Sequence, residues 1–206
     1  METKSPFYVI QEFISPQLCE HVVALLDWNE PDTNREGKPI KTVKSSERAQ
    51  QILYERIINT LPEIQSHYGF TYKGTEDIIF EWFPSESCGT IQSENSSYLR
   101  RKWLRTKQRD ITGVLFLSDY QDKIPFDNEY EVYGGKLEFP QHQFGFNPQR
   151  GTLIFFPSDP HFLNITTQIY AGDLYQARIQ ITAQTPYLYD ARNFPGNYQT
   201  WFNNLK

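Results

Sequence analysis

The sequence predicts a mostly β (α+β) domain of the sandwich or jelly-roll type, with two helices near its N-terminus. The first observation is a series of short β-rich runs after Gly69, separated by turn residues. The second is that no helix-length apolar segment lies between those runs, which excludes a parallel sheet built from βαβ units. The third is the helical spacing of apolar residues, which is confined to the first third of the chain.

The N-terminal part is predicted to contain a strand and two helices. Residues Phe7 to Phe13 alternate as a short strand, and Ser15-Pro16 provides an N-cap followed by proline at the first helical position. The polar stretch Asn29 to Lys44 contains proline and glycine and predicts a loop. A second helix is predicted within Ser45 to Tyr68, where Pro62 kinks or ends its first part.

The β-rich runs form the predicted core. They are Ile78 to Phe83, Ile111 to Leu117, Lys136 to Phe139, Thr152 to Phe156, Phe162 to Ile169 and Tyr175 to Ala183. We therefore divide one predicted domain, residues 1–206, into an N-terminal strand and helices (1–75), a β core (76–186) and a C-terminal tail (187–206). The aromatic residues of the tail, from Phe194 to Phe202, are expected to pack against the body.

Length and composition favour one soluble domain. The 206 residues are 38% hydrophobic and carry a formal net charge of −5, so neither a disordered chain nor a globally basic nucleic-acid binder is favoured. No apolar run approaches the roughly 20 residues that span a bilayer, and no apolar signal segment follows Met1. We therefore expect a cytoplasmic protein with no membrane partner. Cys19 and Cys88 are interpreted as free thiols.

Three sequence motifs follow one another in the β core. They are the arginine-led strand that begins Arg109-Asp110-Ile111, the turn and strand Gly134-Gly135-Lys136-Leu137-Glu138-Phe139-Pro140, and Pro148-Gln149-Arg150-Gly151 with the strand that ends at Phe156. In this order they resemble the motifs of the prolyl 4-hydroxylase-like iron(II)/2-oxoglutarate-dependent oxygenases. The resemblance runs from about Phe7 to Thr185. It implies a double-stranded β-helix (jelly roll) with the N-terminal helices packed on the major sheet.

The resemblance also implies an iron(II) site. Oxygenases of this kind hold iron(II) with two histidines and one carboxylate, which leaves positions for 2-oxoglutarate and dioxygen. The distal histidine of the family matches His161, the carboxylate matches Glu94, and Gln92 stands where the family has its first histidine. An amide oxygen is a weaker donor to iron(II) than imidazole, so this site departs from the family. His142, in a glutamine-rich turn, is an alternative source of the missing imidazole.

The last β-rich run carries the residue that matches the co-substrate site. Apolar and polar residues alternate from Tyr175 to Thr182, so Arg178 is predicted to face a polar interior. The resemblance implies that Arg178 binds the distal carboxylate of 2-oxoglutarate, and a guanidinium suits this role because it makes two charge-assisted hydrogen bonds. Tyr175 or Thr112 would add a hydroxyl group, and the sequence does not choose between them.

A basic stretch interrupts this acidic chain. Six of the ten residues from Arg100 to Arg109 are cationic, and Trp103 lies among them. The stretch is either a solvated loop or a lip that attracts an anionic partner, including nucleic acid stacked on Trp103.

Three functions follow from these patterns. The first is an iron(II)/2-oxoglutarate-dependent dioxygenase, a hydroxylase of the prolyl 4-hydroxylase type that acts on a protein or small molecule. The second is a pseudo-oxygenase without cofactors that serves as a binding or structural module, because Gln92 replaces the first metal-binding histidine. The third is a cupin-like binder of sugars or other small molecules. The position of Gln92 separates the first two, because the enzyme needs iron there.

Overall fold

A computed structural model describes residues 5–28, 30–124, 128–190 and 192. In these residues the helices are α1 Pro16–Ala24 and α2 Glu47–Tyr68. The strands are β1 Tyr8–Ile10, β2 Thr42–Lys44, β3 Tyr72–Thr75, β4 Ile79–Phe83, β5 Ser96–Leu99, β6 Lys102–Arg105, β7 Ile111–Phe116, β8 Asp119–Tyr120, β9 Glu131–Gly134, β10 Leu137–Phe139, β11 Phe144–Phe146, β12 Leu153–Pro157, β13 Ile165–Thr166, β14 Ile169–Gly172 and β15 Leu174–Ala183. The tail aromatics from Phe194 to Phe202 lie outside the described residues.

Each helix begins at a capping serine. The hydroxyl of Ser15 accepts a hydrogen bond from the backbone N–H of Leu18, and Ser46 caps α2 in the same way. The helix α2 continues through Pro62, because the apolar stripe that packs on the sheet continues on both sides of it. Both predicted helices are confirmed. In the described part of the chain, no helix combines the length and the apolar character that a membrane crossing requires.

A large antiparallel sheet organises the fold. Its strand order is β1-β12-β7-β15-β4-β2, and β3 pairs with the second half of β15. Because successive side chains point to opposite faces, β15 turns Ala177 and Ile179 to one face and Arg178 to the other. The helices cover the first face, where Leu53 and Ile57 of α2 are fully buried. The second face is apolar at one end and polar at the other.

Smaller sheets lie opposite that second face. Their strand orders are β11-β10-β13 and β14-β9-β8. Between them and the large sheet is a second apolar cluster, which includes the fully buried Phe116, Phe139, Phe156 and Leu174. The chain is therefore mostly β, with antiparallel sheets and two helices, as the sequence predicts.

The structure contains strands that the sequence pattern did not reveal. The predicted loop Asn29 to Lys44 ends in β2, which pairs with β4 at the edge of the large sheet. The basic stretch is a hairpin rather than a loop, because β5 and β6 pair with each other from Ser96 to Arg105. Backbone hydrogen bonds to a partner strand hold both segments, and neither carries the alternation of a half-buried strand.

We expect Gly113→Ala to destabilise the protein by about 1–3 kcal/mol. Gly113 lies in β7, between β12 and β15. An added methyl group would lie 2.6 Å from Cε1 of Phe155, whose ring is fully buried and has no space to move into. Denaturant unfolding measures the loss. Gly74→Ala in β3 is the matched control, because nothing lies within 4 Å of its added methyl group. An equal loss in both variants would contradict the packing explanation.

Candidate functional site

An ion-pair network occupies the polar end of the interior. Arg178 lies between two carboxylates: its Nε donates to Glu81 Oε2 at 2.7 Å, and its Nη1 donates to Glu94 Oε1 at 2.6 Å. All three side chains are at most 6% exposed. Glu81 lies on β4, next to β15, and Glu94 lies in the segment between β4 and β5. The network therefore ties this segment to the large sheet.

Further partners surround Glu81. Its Oε1 accepts a hydrogen bond from Lys41 Nζ at 2.7 Å, and its Oε2 accepts one from Gln176 Nε2 at 2.6 Å. Burial by itself would raise the pKa of Glu81, but Arg178 and Lys41 outweigh it and lower this pKa to about 2. Burial would likewise lower the pKa of Arg178, but Glu81 and Glu94 raise it above its ordinary value. Both Glu81 and Arg178 are therefore charged at neutral pH.

Three amides complete the environment of Glu94. Its Oε1 accepts hydrogen bonds from Gln92 Nε2 at 2.9 Å and Asn164 Nδ2 at 3.2 Å, and its Oε2 accepts one from Gln180 Nε2 at 3.0 Å. The backbones of Gln92 and Asn164 also form an antiparallel bridge, with both N–H···O bonds at 3.0 Å. Both carboxylate oxygens of Glu94 are therefore held by groups of the chain itself.

The two candidate hydroxyl groups lie on opposite faces of the large sheet. Thr112 faces the interior, where its Oγ1 donates to Gln180 Oε1 at 2.8 Å. Tyr175 stacks on Trp82 with ring centroids 6.1 Å apart, on the face that the helices cover. It is an odd number of residues from Arg178 on the same strand, so it cannot contact a ligand that Arg178 holds in the interior.

The histidines lie outside the network. The side chain of His161 is 69% exposed, and its Nδ1 lies 2.7 Å from Asp159 Oδ1. Nε2 of His142 lies 2.7 Å from the carbonyl oxygen of His161, and the His142 ring packs against Phe162. Neither ring contacts Glu94. The structure therefore brings Gln92, Glu94 and Arg178 into one network and places His161 and His142 outside it.

This arrangement does not fit an iron(II) ion. A guanidinium nitrogen lies 2.6 Å from the carboxylate of Glu94 that would hold the dication, and like charges repel strongly in a buried site. Gln92 and Asn164 turn N–H groups, not oxygen atoms, toward that carboxylate. Within the described residues, no group of three or more His, Cys, Asp or Glu side chains could hold a metal ion.

The arrangement also does not fit 2-oxoglutarate at Arg178. The guanidinium already binds two carboxylates, and its Nη1 further donates to Asn164 Oδ1 at 3.3 Å. A third carboxylate would place three negative charges around one guanidinium, which would leave one of them in the interior without a balancing cation. Such an unpaired buried charge is strongly unfavourable.

Sequence reasoning missed Glu81 and Asn164. The signal for Glu81 was a single carboxylate within the apolar run Ile79–Phe83, where a charge is rare unless it is paired. Asn164 lies three residues after His161, at the point where the chain pairs with Gln92. The sequence around Asn164 gave no indication of its contact with Glu94, because only the backbone bridge to Gln92 brings it there.

Comparisons with solved structures identify the fold. One similar structure is the 2-oxoglutarate complex of a viral collagen prolyl hydroxylase from Paramecium bursaria Chlorella virus-1. It superposes with a TM-score of 0.61 at 16% sequence identity, and the alignment covers 88% of this chain and 97% of the hydroxylase chain. A Pseudomonas putida prolyl-4-hydroxylase gives a TM-score of 0.58 at 13% identity, with 87% of this chain and 94% of its own covered.

A third structure agrees with these two. A prolyl hydroxylase from Trichoplax adhaerens, in complex with a hypoxia-inducible-factor peptide fragment, gives a TM-score of 0.57 at 13% identity and covers 87% of this chain and 84% of its own. No protein-family model and no curated protein matches the sequence. The arrangement of strands and helices around the ion-pair network is thus the fold of the prolyl hydroxylases.

Proposed function

We propose that this chain is a catalytically silent form of the prolyl hydroxylase fold and acts as a binding module. The proposal includes the double-stranded β-helix (jelly-roll) topology and the single domain that the sequence predicts. Its main support is the position of Arg178 between Glu81 and Glu94, both of which are buried. Arg178 supplies the positive charge beside Glu94 that iron supplies in an oxygenase. Glu94 supplies the negative charge beside Arg178 that 2-oxoglutarate supplies there.

The carboxylate of Glu94 replaces that of a co-substrate. In the oxygenases that the sequence resembles, a basic residue on the last core strand binds 2-oxoglutarate, and the viral hydroxylase was solved as a complex with this molecule. Here the corresponding residue, Arg178, is neutralised from within the chain. No external anion is needed to balance its charge.

Two amides, rather than imidazoles, lie beside Glu94. Gln92 and Asn164 donate hydrogen bonds to this carboxylate and pair with each other through the backbone. Amide N–H groups satisfy a buried carboxylate in the absence of a metal ion. The result is a polar centre in which the charge of Glu94 is balanced within the chain.

The alternative is the active hydroxylase, which the shared fold favours. It requires Glu94 to leave Arg178 and His161 to turn inward from Asp159. Iron binding and succinate formation separate this function from the silent module.

We expect no iron(II)- or 2-oxoglutarate-dependent heat in an anaerobic titration of the metal-free protein, and no succinate after admission of air. The reason is that Glu94 and Arg178 already satisfy each other. An established 2-oxoglutarate oxygenase under the same conditions serves as the positive control. Tight binding of both, with succinate formation, would refute the silent module.

His161→Ala identifies the source of any iron signal that appears. His161 is exposed, so its removal should leave folding and the titration unchanged if the module is silent. If the wild-type protein binds iron and His161→Ala does not, the ligand role predicted from the sequence is correct, and the active hydroxylase becomes the better account.

We expect Arg178→Met to destabilise the protein by about 3–5 kcal/mol, because it leaves two buried carboxylates without their shared cation. Denaturant unfolding at neutral pH measures this loss. Lys38→Met is the control, since Lys38 and Glu36 form an exposed pair at 3.8 Å that contributes about 0–1 kcal/mol. A stable Arg178→Met protein would mean that the arginine is kept for a ligand.

We expect the stability to fall as the pH is lowered from about 4.5 to about 2, because Glu81 has a lowered pKa of about 2 in the folded protein and an ordinary value of 4.5. A carboxyl group whose pKa is lowered by folding stabilises the folded protein at pH values above its ordinary pKa. This stabilisation, here on the order of 3 kcal/mol, is lost as the pH falls through the pKa of the folded state. Unfolding curves across this range measure it. Glu81→Gln should flatten the dependence, whereas Glu36→Gln at an exposed position should not.

A further inference from the structure

A cavity of about 440 Å³ lies between the hairpin β5–β6 and the turn Pro160–Phe162. Its walls include Trp103, Asp159, His161 and Tyr187, and do not include the charged side chains of the ion-pair network. This volume falls in the range of small-ligand pockets. The cavity is therefore a second site, at the surface of the fold.

The hairpin beside this cavity carries unpaired cations. Arg105 pairs with Asp110, and Arg109 pairs with Glu76. Within the part of the chain that the structure describes, the other four cations of the stretch have no carboxylate partner: Arg100, Arg101, Lys102 and Lys107. No acidic residue occurs from Asn95 to Arg109, although the chain as a whole has a net charge of −5. The hairpin is thus a local positive surface that attracts anions.

The hairpin also presents exposed aromatic rings. Tyr98 and Trp103 are directly opposite each other on β5 and β6, with ring centroids 5.2 Å apart. They are 60% and 39% exposed, and Trp103 forms part of the cavity wall. Both side chains point to the face of the hairpin that borders the cavity, because residues paired across strands share a face. A planar group entering the cavity would stack on Trp103.

Two buried polar atoms of the cavity walls have no hydrogen-bond partner within the described residues. They are Asp159 Oδ2 and Tyr187 Oη. The other oxygen of Asp159 accepts from the backbone N–H of His161 at 2.8 Å, which fixes this carboxylate in place. Buried groups of this kind are rare without a partner. A ligand that brings N–H groups and a hydrogen-bond acceptor would satisfy both.

These features specify the chemistry of the ligand. Its outer part is anionic, since it meets Arg100 and Arg101 in the turn and Lys107 beyond β6. Lys102 is next to Trp103 on β6 and therefore points away from the cavity. Its inner part is planar and carries N–H donors, since it meets Trp103 and Asp159. An acidic peptide fits the cations, but its carboxylates would be repelled by Asp159 in the cavity. A nucleotide has phosphate, a planar base and base N–H groups in one molecule.

We propose that the hairpin and cavity bind single-stranded nucleic acid, with one base stacked on Trp103 inside the cavity and the phosphates along the hairpin. This inference rests on the proposed function, because it names the ligand of the binding module. A duplex does not fit, since its bases are stacked and their edges paired. The cations extend from the turn at Arg100 to Lys107 past the end of β6, farther than one phosphate reaches, which favours a strand over a free nucleotide.

The test is fluorescence anisotropy of a labelled single-stranded RNA and DNA of about a dozen nucleotides, within the site sizes of such proteins. We expect binding that weakens steeply with salt. Trp103→Ala should weaken it roughly five-fold or more, as expected when one base loses its stacking partner. Tyr54→Ala is the matched control, because Tyr54 is an exposed aromatic residue of α2 far from the hairpin in sequence.

A charge variant tests the phosphate contacts without disturbing the turn. Arg100 and Arg101 have positive φ angles of 49° and 65°, and Asn-Gly is the pair that such a hairpin turn prefers. Arg100→Asn with Arg101→Gly should therefore keep the hairpin, weaken binding and reduce its salt dependence. Lys44→Ser with Lys73→Ser removes two exposed cations elsewhere and should change the salt dependence less.

Several outcomes would overturn the inference. They are no binding of either strand at low salt, equal binding of a duplex or of polyglutamate, tighter binding of a free nucleotide than of the strand, or unchanged binding in Trp103→Ala. Succinate formation in the oxygenase assay would instead refute only the silent module. The two proposals therefore fail through different measurements.

Discussion

The interior of this protein depends on a guanidinium held between two buried carboxylates. Arg178 reaches Glu81 on the neighbouring strand and Glu94 on the segment that precedes the hairpin. A buried charge is tolerated only when it is paired and its remaining hydrogen-bonding capacity is satisfied. This condition explains the surrounding groups: Lys41 and Gln176 complete Glu81, and amides complete Glu94.

The large sheet accommodates this polar centre because the side chains on its two faces differ in polarity. On the helix side, alternating residues of β7, β12 and β15 build an apolar core. On the other side, the face is apolar at β12, where Phe156 lies, and polar at β15, where Arg178 and Gln180 lie. One end of the interior is closed by packing and the other by hydrogen bonds.

A shared fold does not by itself specify the chemistry of a chain. The architecture of this protein is that of the prolyl hydroxylases, and the same architecture can host unrelated functions. The interior around Gln92, Glu94 and Arg178 is filled by side chains that hydrogen-bond one another. Among the described residues, Asp159 and Tyr187 of the cavity wall each have a buried oxygen atom without a hydrogen-bond partner, and the unpaired cations lie on the hairpin beside this cavity.

Local sequence signals account for a large part of the structure. The caps at Ser15 and Ser46, the main β-rich runs and the inward face of Arg178 all follow from periodicity and capping, which act over a few residues. These features are determined by neighbours along the chain.

Tertiary structure alone decided what these residues do. Glu81 and Arg178 are 97 positions apart, and the bridge between Gln92 and Asn164 joins segments from two regions of the chain. The exposure of His161 is likewise visible only in the folded structure. The sequence by itself determined which side chains face inward. The fold determined that the inward charges neutralise each other, because pairing between remote strands leaves no local pattern.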